Sequence, residues 1–533
     1  MRKAICVTLV PLIIVVATGC QKPVKSPVYD SRGDKNLLEK IFTGNADTQW
    51  LSELHEEDMH IQQTFEYDKK PIELVIDADV QTPNLRMPAA VVKPHRFTQE
   101  EADAMIAHLV GDAHFVMLNL HNKDGNLIYE NIPKTTVAFI IESLENEIAY
   151  YQSNVFGSLL ENSKTGAEEL LVMYRELYTT AKEINEFPEA SRKFRKGEVV
   201  RGFYARELEF LRRDIPYYTA YPEYEETHVV DKIDGYFEKN GVLLRLQIRS
   251  DDTGKWSKME LSQAFPRFWQ TSTLSTISQD EAVITYEGAV KIAEDAVKSI
   301  GANNQGMRLA NGIDRVTSID GEPIINERCY RFDFTKEING VQSDYNRYYN
   351  VVEKSENLWC SGWGYERLEV RIDDYGLAGI IWENPCEITE VLTNDTPMLP
   401  FEQMMKCFAQ AMFIEYDVFI KKDVNTLFGR NEYTVLESEY EATGFAGDYL
   451  GQWSISAIVL NLVRVQAGDE YLLIPVWSFY GSISWLSKEG EKVDLWILDT
   501  NKIYSSFLIT EYETPLMTIN AIDGSVIGRR YGW

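Results

Sequence analysis

The sequence predicts an α+β protein: repeated units of one helix packed on a small antiparallel sheet, with a helical hairpin inserted in the N-terminal half. Three observations carry this expectation. Helix starts of one pattern recur along the chain, strand runs broken by tight-turn signals follow them, and two long helix-favouring segments adjoin each other.

The first helix start is Phe97-Thr98-Gln99-Glu100-Glu101-Ala102, running on through Met105, Ile106 and Leu109 to Gly111. Thr98 and Glu101 have the spacing of a capping box, which satisfies two orphan backbone donors at once. The second is Ile284-Thr285-Tyr286-Glu287-Gly288-Ala289, in which Tyr286, Ala289, Ala293, Ala296 and Ile300 mark one buried stripe. The third is Leu399-Pro400-Phe401-Glu402-Gln403-Met404, with Pro in the first turn, where its missing N–H costs nothing. An acid near each N-terminus complements the helix dipole.

Strands follow. Cys329 to Phe334, an Asn339-Gly340 turn and Leu368 to Ile372 come after the second helix. Ile455 to Val463 and Tyr471 to Phe479 come after the third. Arg371 to Gly376 and Thr518 to Gly524 read as the same final hairpin, because Asp and Gly tolerate the backbone of tight turns. Between the first two helix starts, Thr135–Phe156 and Thr165–Ile184 flank the polar run 162–166 and form a helical hairpin spanning about 135–185. The expected organisation is an N-terminal unit over 46–225, a middle unit over 226–392 and a C-terminal unit over 393–533. Residues 1–19 and 20–45 stand apart from these.

Arg2 and Lys3 precede an apolar run that stops at Val16, and Ala17-Thr18-Gly19-Cys20 follows. The run is too short for the ~20 apolar residues that a bilayer core requires, and Pro11 interrupts it. Its layout is that of a secretory signal. The small residues before Cys20 resemble a bacterial lipoprotein signal, although Ala17 stands where the family usually has Leu. That resemblance implies cleavage before Cys20, lipid (palmitate-type) attachment there, and an extracytoplasmic protein held to the cell membrane by its N-terminal lipid. Residues 20–45, with Pro23, Pro27 and Gly33, then read as a flexible tether.

Loss of Arg2 and Lys3 takes the net charge from −29 to −31. Such a surface repels nucleic acid and anionic lipid head groups, so nucleic acid is excluded as a partner. With 44% hydrophobic and 12% aromatic residues the chain can build large cores. Outside the cytoplasm, Cys329, Cys360, Cys386 and Cys407 could form two disulfides or remain buried thiols.

The helix starts, the strand Tyr471 to Phe479 and the terminal Ile519-Asn-Ala-Ile-Asp-Gly524 resemble PepSY-type regulatory modules of bacterial envelope proteins. The first unit, with Ile76 to Val80 before Pro83 and the later hairpin, is similar to uncharacterised surface lipoproteins of Gram-positive anaerobes. The resemblance implies a binding or regulatory ectodomain and supplies no catalytic residues.

Candidate chemistry is sparse, and no catalytic, cofactor or metal residues are expected. His55-Glu56-Glu57-Asp58-Met59-His60 spaces its histidines five apart, not the four a zinc helix needs, and reads as a solvated acidic helix. All seven histidines precede residue 229, so the C-terminal three hundred residues hold no Ser-His-Asp or Cys-His set of their own. His108, His114 and His121 read as surface or structural residues. Asp251-Asp252-Thr253-Gly254 and Asp373-Asp374 read as turns, because neither has calcium-loop spacing. Asp77 and Asp79 share a strand face and are the only paired carboxylates considered for hydrolysis. The tryptophans concentrate late in the chain. In Cys360-Ser-Gly-Trp363-Gly-Tyr365, glycines flank aromatic groups, which makes Trp359, Trp363 and Tyr365 the candidate ligand contacts. The expected role is binding of a peptide, a wall polymer or an envelope protein without catalysis. An envelope-directed hydrolase using carboxylates and a structural spacer are the competing readings.

Overall fold

The computed structural model describes residues 37, 40–41, 59–67, 70–83, 86–121, 127–153, 161–201, 227–264, 284–313, 316–319, 322–325, 329–344, 363–373, 376–412, 450–467, 470–486 and 515–527. The class is α+β, as the patterning predicts. Among the described residues, five helices of eleven residues or more accompany two large sheets.

The first sheet collects β1 (Met59–Tyr67), β2 (Lys70–Gln81), β3 (Ala89–Pro94), β15 (Cys386–Thr393), β16 (Leu450–Ala467), β17 (Glu470–Leu486) and β18 (Met517–Asn520). Its order is β1-β2-β16-β17-β3-β15, with β18 beside β17. The second collects β4 (Arg195–Arg201), β5 (Thr227–Lys239), β6 (Val242–Ser250), β7 (Lys258–Gln263), β8 (Met307–Ile313), β11 (Tyr330–Ile338), β12 (Val341–Gln342), β13 (Arg367–Asp373) and β14 (Gly376–Glu383). Its order is β12-β11-β13-β14-β7-β6-β5-β4, with β8 beside β11. A separate ribbon pairs β9 (Val316–Ile319) with β10 (Glu322–Ile325).

The nine-stranded sheet is two copies of one plan. Strands β4 to β7 form an antiparallel meander, β8, β11, β13 and β14 form another, and the last strands of the two join antiparallel from Gly379↔Ser262 to Glu383↔Lys258. Each copy carries one helix, α1 (Gln99–Leu109) or α4 (Tyr286–Ser299), and the two lie side by side on the same face. Thr98 and Thr285 cap them by accepting the backbone N–H of Glu101 and Gly288, so the repeated start has one local cause. Met105, Ile106 and Leu109 of α1 and Ala293, Ala296 and Val297 of α4 share a core with Leu246, Leu261, Val370 and Ile380 of the sheet. The turns also repeat. Asn240 and Asn339 take φ of 52° and 51° ahead of Gly241 and Gly340, which closes β5–β6 and β11–β12 as tight hairpins.

The third helix, α5 (residues 401–412), packs Met404, Met405, Phe408 and Met412 on the seven-stranded sheet against Trp453, Trp477 and Phe479. Phe408 stacks on Phe479 with centroids 4.2 Å apart. After β18 the chain turns through Gly524 at φ 78°, and Ile519 bridges to Val526. The two endings expected to match differ in span: β13 and β14 pair Asp373 with Gly376, three positions apart, whereas Ile519 and Val526 are seven apart.

Sheet membership crosses the unit boundaries expected from the sequence. Strands β1 to β3, from the expected first unit, join strands from the last, and β2 runs parallel to β16. Alternation along a strand says which face is buried but not which strand lies alongside. Leu74, Ile76 and Ala78 of β2 find their apolar layer on the long β16–β17 hairpin. The expected flexible tether over 20–45 also ends earlier than predicted. Leu37 and Ile41 are helical and buried against Val463, Val465 and Ile522, and Lys40 pairs with Asp523 at 3.1 Å.

The helical hairpin is present as α2 (Lys134–Ser153) and α3 (Glu161–Tyr178), which pack on each other and on Leu243. The expected turn at 162–166 forms the first turns of α3 instead, a position where Asn, Ser and Thr are at home. His60, expected on an acidic helix, lies on β1, while His55 lies outside the described residues.

Candidate functional site

The chain crosses between the sheets at His95–Thr98, where β3 leads to α1, and at Asn384–Pro385, where β14 leads to β15. The two crossings touch: the His95 amide donates to the Pro385 carbonyl at 2.9 Å. A buried polar cluster fills this junction. Lys336 of β11, 2% exposed, donates from Nζ to the Gln305 carbonyl at 2.8 Å and the Cys386 carbonyl at 2.7 Å. Its Nζ also pairs with Oε2 of Glu366 at 3.2 Å. The same oxygen accepts from the Cys386 thiol at 3.1 Å, and Oε1 accepts from Nε1 of Trp382 at 3.0 Å.

Each group's titration follows from these contacts. Burial alone would lower the Lys336 ammonium, but Glu366 and the neighbouring dipoles and charges outweigh it and hold Lys336 above the usual lysine range. Burial, then Glu366, pushes the Cys386 thiol far above its ordinary value. A thiol held neutral in this way is a poor nucleophile, so the cluster binds structure together and does not activate sulfur.

The cluster extends outward through Gln305 to His95. Nε2 of His95 lies 2.9 Å from Oε1 of Glu101 and 3.1 Å from Nε2 of Gln305. A carboxylate only accepts, so the proton shared by His95 and Glu101 belongs on Nε2, and the Gln305 amide nitrogen, itself a donor, has its acceptor in Oε1 of Glu101 at 3.4 Å. The other oxygen of Glu101 accepts from the Thr98 amide and hydroxyl, completing the capping box. Burial pushes Glu101 up, but these bonds more than offset it and hold its carboxyl below the usual range.

The second feature is a pair of anchored chain ends on β16. Ser343 bridges to Leu462, and the Asp344 amide donates to the Leu462 carbonyl at 2.8 Å. The Asp344 carboxylate accepts from the Tyr480 hydroxyl at 2.6 Å and from Ser478 at 3.2 Å. Two residues along the same strand, Arg464 donates to the carbonyls of Trp363 at 2.6 Å and Gly364 at 2.7 Å. Its guanidinium lies 3.8 Å over the Trp363 ring and 5.0 Å from that of Tyr365. Asp344 and Trp363-Gly364 are therefore both held by β16, at Leu462 and Arg464.

The expected contact aromatics divide. Trp363 is 1% exposed and packed against Arg464 and Tyr471, so the reading of it as an exposed contact is corrected. Tyr365 is half-buried, and Trp359, like Cys20, lies outside the described residues.

Asp77 and Asp79 are exposed on β2, and His60 of β1 pairs with Asp77 at 2.6 Å. The sheet thus brings an N-terminal histidine alongside the C-terminal strands, a proximity that counting histidines along the chain misses. His108, His114 and His121 are exposed. Asp251 accepts from the Thr253 hydroxyl at 2.7 Å and Asp373 from Gln263 at 2.8 Å, as turn and strand-end residues. Among the described residues no three His, Cys, Asp or Glu side chains gather as metal ligands. A cleft of about 60 Å³ between Leu109, Lys239, Gln263 and Asp373 is far below the several hundred Å³ of a metabolite pocket. No described helix is long and apolar enough to cross a membrane.

No family model matches the chain, and no curated protein does. Among solved structures, an uncharacterized protein from Eubacterium rectale is 11% identical, with a TM-score of 0.29, covering 93% of this chain and 99% of its own. The C-terminal domain of Bacillus megaterium YpeB is 8% identical, with a TM-score of 0.16, covering 62% of this chain and 96% of its own. Both scores are low, and the fold and site described above rest on their own geometry.

Proposed function

We propose that this chain is an extracytoplasmic protein of the bacterial envelope, lipid-anchored at Cys20, whose folded part binds a partner and catalyses no reaction. The signal pattern ending at Cys20 supports the address. The observation that carries the binding reading is the anchoring of Asp344 and of Trp363-Gly364 within two residues of each other on β16. The sequence between them holds Tyr345, Tyr348, Tyr349, Trp359 and several Asn and Ser residues. Tyr and Trp side chains give contact area at little entropic cost, so this sequence, lying between two residues anchored on one strand, has the composition of a binding surface. Half-buried Tyr365 follows it in the sequence. A partner protein or peptide fits this composition better than a charged wall polymer, and the PepSY-like motifs favour a regulatory role.

Trp359→Ala should weaken capture of envelope partners by at least about 10-fold, the ~1.4 kcal/mol that one lost aromatic anchor contributes, with an unchanged melting temperature. The readout is quantitative cross-linking from intact cells. Unchanged capture would remove the aromatic segment from the binding surface. Turnover of peptidoglycan fragments that Asp77→Asn or Asp79→Asn abolishes would replace the binding reading with the hydrolase. Separately, Cys20→Ser should release the protein from the membrane fraction while leaving its fold intact, and retention there would overturn the lipid anchor.

A further inference from the structure

The outer strands of the two sheets are not alike. At one edge of the seven-stranded sheet, β15 pairs β3 through two register irregularities and carries exposed Glu387 and Glu390. At one edge of the nine-stranded sheet, β4 has an irregularity between Arg195 and Glu198, with Gly197 at φ 69°. Bulges and charges of this kind stop another strand from pairing. β1 has no such irregularity, and its one carboxylate is Glu66. Its nine residues, MHIQQTFEY, run in unbroken register from Met59↔Ala78 to Tyr67↔Lys70 and include no Pro, Gly or Lys. Among the described residues β1 pairs on one side only.

We propose that β1 accepts an extended peptide of alternating apolar and basic residues, added to the sheet as a further strand. Backbone pairing would supply affinity, and the two faces of β1 would set the alternation. On one face, Met59 and Ile61 lie at the rim of the core and offer an apolar continuation. On the other, His60, Gln62 and Thr64 are exposed. Behind them stands an acidic row on β2. Asp77, 76% exposed, pairs with His60, Asp79 is exposed, and Glu73 accepts from Gln62 and Gln452 at 2.8 and 2.7 Å. An incoming strand lies two strand spacings, about 10 Å, from β2, within reach of a stretched Lys or Arg side chain. The net charge of −29 favours the same sign of guest. This site is separate from the anchors of Asp344 and Trp363 on β16.

Hydrogen exchange of the full chain tests this, using as probe the blocked peptide (Val-Lys)4 and as control (Val-Glu)4. In the free protein the β1 amides that face away from β2 should exchange fast, and (Val-Lys)4 should slow them while (Val-Glu)4 does not. The double variant Asp77→Asn/Asp79→Asn should weaken (Val-Lys)4 binding about 5-fold, as loss of two exposed charge pairs would. Its melting temperature should be unchanged, because both side chains are exposed. Full protection of β1 in the free protein would overturn the proposal, as would equal effects of the two peptides or protection that arises away from residues 59–67.

Discussion

Lys336→Met should lower stability by about 3–5 kcal/mol, because it leaves Glu366 charged and buried without its cation. The ammonium also ties together three chain segments through the carbonyls of Gln305 and Cys386 and the carboxylate of Glu366. Removing it strands all three acceptors in an interior where an unpaired polar group costs about 1–3 kcal/mol. The double variant Lys336→Met/Glu366→Gln should recover more than half the loss. It removes both charges and keeps an acceptor for Nε1 of Trp382. Urea midpoints at constant slope would measure both. A loss below about 1 kcal/mol in the single variant would mean that the junction is wetter than its burial implies.

The pH dependence has a fixed sign. Lys336 is held above its ordinary 10.5, so its contribution is complete below that value and fades as pH rises through the higher folded one. The parent protein should therefore show an alkaline loss of stability above about pH 10.5 that Lys336→Met lacks. Glu101, Asp234 and Glu369 lie on the opposite side. In each, burial pushes the carboxyl up, but hydrogen bonds and cations hold it below its ordinary range. Their contributions are complete above pH 4.5 for the two glutamates and 3.8 for Asp234, and fade on acidification.

The sequence exposes what is local and hides what is not. Thr98, Thr285 and Pro400 mark helix starts because caps act within three residues, and Asn240 and Asn339 mark turns because the required backbone is their own. The helical hairpin is readable for the same reason. The pairing of β2 with β16 leaves no such trace, since the partners lie several hundred residues apart and any long apolar hairpin offers the same edge. The junction cluster was equally hidden. Lys336, Glu366 and Cys386 come from three strands or strand approaches, and each looks ordinary in its own neighbourhood. One signal did exist: Lys336 interrupts a strand in which Phe332, Phe334 and Ile338 point to the core, and a lysine in such a place asks for a buried partner. Trp363 shows the reverse error. Flanking glycines suggest an exposed loop, yet Trp363 is buried and its carbonyl accepts from Arg464.

Arg464→Ala should cost about 3–5 kcal/mol, the range for emptying a large buried side chain, because the carbonyls of Trp363 and Gly364 also lose their donors. Arg464→Lys should recover less than half of it. A single ammonium cannot lie flat on the Trp363 ring and reach two carbonyls together, which the planar guanidinium does. Burial pulls the Arg464 guanidinium below its ordinary range, with the nearby Tyr365, Cys386, Tyr471 and Glu366 opposing, and the Trp363 ring lies flat against it. The sharper outcome is coupling. Arg464 holds residues 363–364 and Lys336 holds Glu366, so each variant loosens the segment that the other grips. A double-mutant cycle of Arg464→Ala with Lys336→Met should show an interaction of about 0.5–3 kcal/mol, where independent sites would add to within ~0.5 kcal/mol. Strict additivity would mean that the aromatic anchor on β16 and the charged junction act separately. Coupling would make the anchor on β16 and the seam between the two sheets one mechanical unit, so a load on residues 363–364 would be felt at Lys336 and, through Gln305, at His95.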